Sequence, residues 1–244
     1  MTDLHTHILP GMDDGAKTLS DARTLLQKQL SQGVDRIALT SHYHCEAEPM
    51  EVFLDRREAA MAALAEICPS GLRLKRGCEV YFSPQLLHLD LRPLCLEGTR
   101  VLLLELPVLQ RPAFLREVLT ALRQRGIVPL IAHAERYQYV ARDPGILAEW
   151  MDLGAVIQVN SQSVIDGGLA RRLIKWGLCQ VIASDTHSAA YRPPNLRAAL
   201  DAVSDTMGPE KARQLEHQAK VLFSGGELQP GPVHIPRRVL GFWL

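Results

Sequence analysis

The sequence has few of the features that would place it in a membrane or secretory class. The longest apolar run, residues 101–109, carries Glu105 in its middle and is far shorter than the roughly 20 residues of a membrane helix. A cleavable leader is not expected either, because metal-ligand-type side chains already begin at His5. We therefore expect a cytoplasmic protein without membrane insertion.

Cysteine is scarce as well: there are five, and no two are separated by only two residues. An odd number without such pairs fits poorly with a disulfide framework, and a reducing cytoplasm is the simpler environment. None of the five is followed by an arginine at the spacing of a Cys-x5-Arg phosphate-binding loop. Phosphate transfer through a phosphocysteine is therefore not expected.

An excess of charge of either sign is also missing, because 27 acidic and 27 basic residues cancel. Nucleic-acid binding usually needs a basic surface, so no nucleic-acid partner is expected. The length of 244 residues and the hydrophobic content of 47% suit one large β/α domain or two smaller ones.

What the sequence does contain is a regular alternation of short apolar runs and helical patterns. Strands are predicted at about residues 2–8, 36–40, 72–81, 101–106, 127–132, 155–159 and 179–183. Helices are predicted at about residues 20–32, 50–67, 112–125, 143–153, 168–176, 194–203 and 209–222. Such alternation is typical of parallel sheets. We predict an α/β fold, a distorted (β/α)7 barrel of the TIM-like kind, with an open sheet as the alternative. One domain is expected over residues 1–244, with a tail from about residue 225.

Imidazole and carboxylate side chains recur at or just after the ends of six of the seven predicted strands. They are His5, His7, Asp13, Asp14, His42, Glu79, Glu105, His133, Asp185 and His187. A β/α barrel gathers the downstream ends of its strands around one mouth, so these side chains would converge. His5 and His7 are two positions apart on a strand and would point to the same side, where they could grip one cation.

Each of these signals has a simpler interpretation when it is taken alone. Asp13 and Asp14 could be ordinary turn residues between two glycines, and one histidine after a strand is often a surface or packed residue. Glu105 is harder to dismiss, because a carboxylate inside an apolar strand must be paired, hydrogen-bonded or bound to a metal. Together the residues predict a metal-dependent hydrolase.

Several motifs resemble the polymerase and histidinol phosphatase (PHP) superfamily. They are DLHTH at residues 3–7, TSH at 40–42, GCEV at 77–80, LELP at 104–107, IAHAER at 131–136 and ASDTH at 183–187. The string HILPGMDDGA at residues 7–16 resembles one branch in particular, the CpsB/CapC/YwqE-type manganese-dependent protein tyrosine phosphatases of bacterial capsule and exopolysaccharide systems. The resemblance runs from about residue 2 to the helix after Pro193, and only the tail lacks it.

The resemblance implies a distorted seven-stranded barrel that holds three divalent metals. One ion would bind His5, His7, Glu79 and Asp185; a second would bind Glu79, Glu105 and His133; a third would bind Asp14, His42 and His187. Arg136 and Arg192 match the phosphate-contacting arginines, and together with His42 they are the expected catalytic residues. Manganese is the first choice, with iron, zinc or magnesium as alternatives.

Two positions depart from the pattern of the branch. Ala134 stands where the branch usually has proline, which would loosen the loop presenting Arg136. His44 follows His42 by two residues, so that the motif alone leaves open which of the two histidines binds metal.

The implied function is hydrolysis of phosphotyrosine on a bacterial tyrosine kinase that regulates capsular or exopolysaccharide synthesis and export. Two alternatives stay open: a PHP phosphoesterase acting on a small phosphomonoester, and a non-catalytic module that binds the kinase. The sequence does not decide whether the protein forms homo-oligomers, or which group protonates the leaving phenolate.

Overall fold

Short runs of buried apolar residues form parallel strands in the computed structural model, which describes residues 1–229, 231–239 and 242–243. The parallel strands are β1 (Thr2–Asp3), β2 (Arg36–Leu39), β3 (His42–Tyr43), β4 (Arg73–Arg76), β5 (Glu79–Tyr81), β6 (Val101–Glu105), β7 (Val128–Ile131), β8 (Val156–Asn160) and β9 (Val181–Ala183). Two further strands, β10 (Arg238–Val239) and β11 (Phe242–Trp243), form an antiparallel pair in the tail.

The parallel strands are arranged in two sheets, of order β1-β2-β4 and β3-β5-β6-β7-β8-β9. The predicted third strand is therefore broken in two at residues 77–78, and the second strand position resumes as β3 beyond the predicted strand, after an interruption at residues 40–41. The break is bridged, because the amide of Gly77 donates to Leu39 O at 2.9 Å and the amide of Glu79 donates to both Thr40 O and Ser41 O at 3.1 and 3.0 Å. The chain thus keeps its path across the interruption.

The last strand position is connected back to the first. Thr6 and Thr186 form a parallel bridge. The amide of Asp185 donates to His5 O at 2.8 Å, and the amide of His7 donates to Thr186 O at 2.9 Å. The seven strand positions thus form a ring, as the predicted distorted barrel requires, and the open sheet is the wrong alternative.

Nine α-helices lie within the described residues, on the connections between strands and at the end of the barrel. They are α1 (Leu19–Ser31), α2 (Met50–Ala65), α3 (Leu115–Gln124), α4 (Gln138–Arg142), α5 (Ile146–Asp152), α6 (Ser161–Asp166), α7 (Gly168–Lys175), α8 (Leu196–Met207) and α9 (Pro209–Phe223). Helices α4 and α6 were not predicted, and α3 and α5 begin three residues later than predicted. In the part of the chain that is described, no helix combines the length and the apolarity that crossing a membrane requires.

Helix α1 begins one residue before its predicted start because Thr18 caps it. The Thr18 hydroxyl accepts from the Asp21 amide at 3.1 Å, while the Asp21 carboxylate accepts from the Thr18 amide at 3.0 Å. These reciprocal bonds satisfy two backbone donors that a helix start otherwise leaves free.

Buried side chains divide between the inside and the outside of the ring. Along β6, Val101 and Leu103 pack with one hydrophobic cluster, whereas Leu102 and Leu104 pack with the other, as strand alternation requires. The inner cluster also contains Leu222 and Phe223 of α9. Helix α9 therefore covers one end of the barrel, and the polar side chains gather at the other end, where the strands terminate.

Candidate metal centre

The carboxylate of Glu79 lies at the middle of the polar cluster. It is 1% exposed and stands opposite His42 in the register of β3 and β5. Its Oε2 atom lies 3.2 Å from His5 Nε2, 3.3 Å from His7 Nε2 and 3.0 Å from His42 Nδ1. Its Oε1 atom lies 3.0 Å from His133 Nε2. One buried carboxylate thus contacts four histidines from three different strand positions.

A first group of ligand-type atoms consists of His5 Nε2, His7 Nε2, Glu79 Oε2 and Asp185 Oδ1. The two imidazole nitrogens are 3.0 Å apart, and Asp185 Oδ1 lies 3.4 and 3.5 Å from them. Donor atoms that surround one ion at about 2.0–2.2 Å stand roughly 3.0–3.5 Å from each other. The spacing is therefore that of a coordination shell around one small cation.

Two further groups adjoin the first. Next to Glu79, His133 Nε2 lies 3.4 Å from Glu105 Oε1. On the outer side, Asp14 Oδ1 lies 3.4 Å from His42 Nε2 and 3.2 Å from His187 Nε2. The sets of side chains that could each hold an ion are His5–His7–Asp185, His42–Glu79–Glu105 and His7–Asp14–His42–His187.

His42 lies between two of these groups. Its Nδ1 faces Glu79, and Glu105 Oε2 is 3.8 Å away, while its Nε2 faces Asp14. His44 instead stacks on Tyr81, with ring centroids 4.8 Å apart and an interplanar angle of 21°. Of the two histidines that the motif left open, the structure therefore places His42 among the ligand-type atoms.

Asp13, which the sequence could not separate from an ordinary turn residue, fixes the orientation of the cluster. Its Oδ2 atom accepts from His7 Nδ1 at 2.8 Å and from the His42 amide at 3.0 Å. Its Oδ1 atom accepts from the Gly15 amide at 2.9 Å. An ionised carboxylate can only accept, so His7 Nδ1 carries the hydrogen and the lone pair of Nε2 points at the cluster.

A second chain of hydrogen bonds, made of neutral amides, orients the opposite side. Gln158 Oε1 lies 3.2 Å from His5 Nδ1 and accepts from the His133 amide at 2.8 Å. Gln158 Nε2 donates to Asn160 Oδ1 at 2.9 Å, and Asn160 Nδ2 donates to Asp185 Oδ2 at 2.7 Å. Sequence reasoning missed both amides, although two polar residues in the otherwise apolar run of β8 were a usable signal.

Backbone strain is concentrated at two of the ligand-type residues. Among the described residues other than glycine, only His133 and Asp185 have positive φ, at 30° and 52°. Such conformations cost on the order of 1–3 kcal/mol each and persist where surrounding contacts hold them.

At Gly15 a Cβ atom would lie only 2.1 Å from His7 O, so the Asp13–Asp14 loop can approach the first strand only with glycine there.

Burial and neighbouring charges shift the pKa values of several of these side chains. Burial would raise the pKa of Glu79, but the positive charge of His5 and the hydrogen bond from His133 outweigh burial and hold that pKa well below its usual value. Burial would lower the pKa of His133, but its bonds to Glu105 and Glu79 raise it to about 9. Burial and the neighbouring charge of His7 lower the pKa of His187 to about 4.

Two of the nitrogens fit a metal better than they fit a hydrogen bond. His42 Nδ1 and His187 Nε2 are buried without a hydrogen-bond partner among the described residues, although each lies near a carboxylate oxygen. Buried polar atoms are normally satisfied, and a metal ion would take up these lone pairs. Imidazole nitrogen and carboxylate oxygen without thiolate is a donor set that suits manganese, iron or zinc.

Two arginines border the cluster at the mouth of the barrel. Arg192 Nη2 pairs with Asp185 Oδ2, and Arg136 Nη1 lies 3.8 Å from the same oxygen. Both side chains are partly exposed. The backbone of Arg192 is held by the Thr186 hydroxyl and the His187 amide, which donate to its carbonyl at 2.8 and 3.0 Å. Ala134 is buried in a 3-10 turn, Ala134–Arg136, that leads directly to Arg136.

The chain is similar in sequence and in fold to known proteins. A family described as "Capsular polysaccharide synthesis, CpsB/CapC" matches residues 1–222. The chain is 30% identical to tyrosine-protein phosphatase CpsB of Streptococcus pneumoniae, over 88% of this chain and 94% of that protein. It is 28% identical to tyrosine-protein phosphatase YwqE of Bacillus subtilis over the whole of both chains. A solved structure, described as one of the metal-dependent tyrosine phosphatases YwqE from Bacillus subtilis and CpsB from Streptococcus pneumoniae, matches with a TM-score of 0.87 and 25% identity. That match covers 98% of this chain and 100% of the other.

Proposed function

Since the chain belongs to the CpsB/CapC family of capsular polysaccharide synthesis, we propose that it is a metal-dependent protein tyrosine phosphatase. Its substrate is phosphotyrosine on a bacterial tyrosine kinase that regulates capsule or exopolysaccharide synthesis and export, in the cytoplasm. The family membership confirms the resemblance found in the motifs. The observation that carries the proposal is the gathering of imidazole nitrogens and carboxylate oxygens around the buried carboxylate of Glu79.

The side chains form three places for divalent ions, of which manganese is the first choice. The residues that would hold them are His5, His7, Glu79 and Asp185; Glu79, Glu105 and His133; and Asp14, His42 and His187. The spacing of the donor atoms also allows His42 to join Glu79 and Glu105, and His7 to join the third set. When bound, such ions lower the pKa of a bound water and neutralise the charge on phosphoryl oxygens. The side chains of Asp14 and His42 are 65% and 28% exposed, so the third place is the one that faces an incoming substrate.

Arg136 and Arg192 hold the phosphoryl group in this proposal. A guanidinium can donate two parallel hydrogen bonds to a phosphate, and both arginines stand at the mouth with part of their surface exposed. They are paired with Asp185 Oδ2 in the structure, so a phosphate would compete with that carboxylate for them.

The proposal is tested with phosphopeptides and controlled metal content. Protein stripped with chelator should not release phosphate from a phosphotyrosine peptide, and added manganese should restore the activity. Asp14→Ala and His42→Ala should lose most of the activity, whereas His217→Ala, an exposed histidine on α9, should keep it. Full activity in metal-free protein would reject the metal dependence. Hydrolysis of small phosphomonoesters without hydrolysis of phosphotyrosine peptides would reject the substrate.

A further inference from the structure

Two stacked rings lie one level above the metal-ligand side chains, towards the mouth. Glu79 and Tyr81 are two positions apart on β5 and therefore point to the same side of the strand. His42 stands opposite Glu79 across the β3–β5 pair, and His44 follows it by two residues. His44 and Tyr81 stack with centroids 4.8 Å apart, and the His44 ring is 6.1 Å from the His42 ring. His44 and Tyr81 thus lie side by side, as His42 and Glu79 do, but two residues further along each chain segment, towards the mouth of the barrel.

The stacked pair is accessible from the solvent. His44 is exposed and Tyr81 is half-buried. Tyr81 also stands opposite Glu105 in the β5–β6 register, which places it beside one of the metal-ligand groups. Tyr81 stacks on one face of the His44 imidazole.

In a phosphotyrosine side chain a single oxygen separates the phenol ring from the phosphorus. With the phosphoryl group at the level of His42 and Glu79, the ring must occupy the next level out, where His44 and Tyr81 lie. A phosphoserine side chain would place only a methylene group there. Aromatic rings attract one another in offset-stacked or edge-to-face contacts, which a methylene group cannot make.

We propose that His44 and Tyr81 form the seat for the aromatic ring of the substrate and favour aryl over alkyl phosphomonoesters. The inference rests on the proposed phosphatase function and adds the residues that select the substrate. The role given to His44 is contact with the ring, and it requires neither metal binding nor proton transfer by this side chain.

Turnover of matched peptides tests the selection. The value of kcat/KM is measured for a phosphotyrosine peptide and for a phosphoserine peptide of the same sequence. His44→Ala and Tyr81→Leu should each lower the phosphotyrosine value about three- to tenfold, the range expected for one lost ring contact, and leave the phosphoserine value within about twofold. The control is His217→Ala, which should change neither value.

His44→Phe separates ring contact from the other roles a histidine can play. Phenylalanine keeps a stacking ring but can neither bind metal nor transfer a proton, so it should restore the phosphotyrosine preference that His44→Ala loses. Metal content should be the same in the wild-type, His44→Ala and His44→Phe proteins. An equal loss on both peptides, or no restoration by phenylalanine, would overturn the proposal.

A binding measurement keeps this inference separate from the proposed function. Phenylphosphonate and methylphosphonate are not hydrolysed, and calorimetric titration of the manganese-loaded protein gives their affinities without turnover. The wild-type protein should bind phenylphosphonate more tightly, and His44→Ala should shrink the difference about three- to tenfold. If the protein hydrolyses no phosphotyrosine peptide but keeps this difference, the proposed function fails and the ring seat stands. If hydrolysis is present and His44→Ala leaves the difference unchanged, the ring seat fails.

Discussion

Replacing Asp13 with asparagine should weaken metal binding although Asp13 belongs to none of the three ligand groups. The carboxylate accepts three hydrogen bonds, from His7 Nδ1, the His42 amide and the Gly15 amide. Asparagine keeps one acceptor oxygen, so it can face either the two histidine donors or the glycine amide. Each lost bond to a charged group destabilises the fold by about 1.5–3 kcal/mol.

The larger effect of Asp13→Asn falls on the tautomer of His7. With the amide NH2 towards the ring, Nδ1 would accept and the hydrogen would move to Nε2, the atom that faces Glu79 and Asp185. Loss of an orienting partner of this kind typically costs about 10–100-fold in metal affinity.

Titration of the chelator-stripped protein with manganese measures that loss. Asp14→Asn provides a neighbouring comparison, because it should weaken the outer group of ligands while His7 keeps its orientation. Asp205→Asn, an exposed carboxylate on α8, serves as the control for loss of one negative charge. Wild-type affinity in Asp13→Asn would show that the carboxylate does not set the tautomer of His7.

Three further perturbations address other parts of the site. Glu79→Gln should abolish binding of at least one ion, because it removes the negative charge that four histidines contact. Elemental analysis of the variant, purified without chelator, measures its metal content. Full metal content would show that this expectation is wrong. Metal affinity should rise as the pH increases through about 9, because His133 in the metal-free protein keeps its proton below its raised pKa and must lose it to become a ligand. Titration with manganese in matched buffers measures this, and an affinity independent of pH would contradict the assigned protonation state. Gly15→Ala should lower both the melting temperature and the metal content, because the added Cβ meets His7 O at 2.1 Å, and a variant that melts like the wild type would show that the loop can move aside.

The ring of strands was predictable because buried parallel strands have sequences that are short runs of apolar residues. Strand β6, for example, lies within the predicted residues 101–106. The breaks in the second and third strands were not predictable, since they depend on the amide of Glu79 being shared between Thr40 O and Ser41 O. Helices α4 and α6 span only five and six residues, too few for helical periodicity to show.

The ligand-type residues were predictable from chemistry and position together. A carboxylate such as Glu105 at the end of an apolar strand is costly to bury unless a cation or a hydrogen-bond donor contacts it. Imidazole or carboxylate side chains also stand at the ends of the neighbouring strands. The division of labour between Asp13 and Asp14 was not predictable, because neighbouring carboxylates in a loop differ only in direction: one turns inward to His7 and the other outward to His187. Only the folded structure shows which of the two carboxylates contacts which histidine.

Anomalous diffraction from crystals grown with manganese tests the central claim most directly. The claim is that His5, His7, Glu79 and Asp185, together with the two adjoining groups, hold divalent cations at the mouth of the barrel. Difference maps at the manganese edge should show a peak within about 2.0–2.2 Å of the donor atoms of each group. Maps without a peak between His5, His7 and Asp185, or with manganese bound only elsewhere on the molecule, would contradict it.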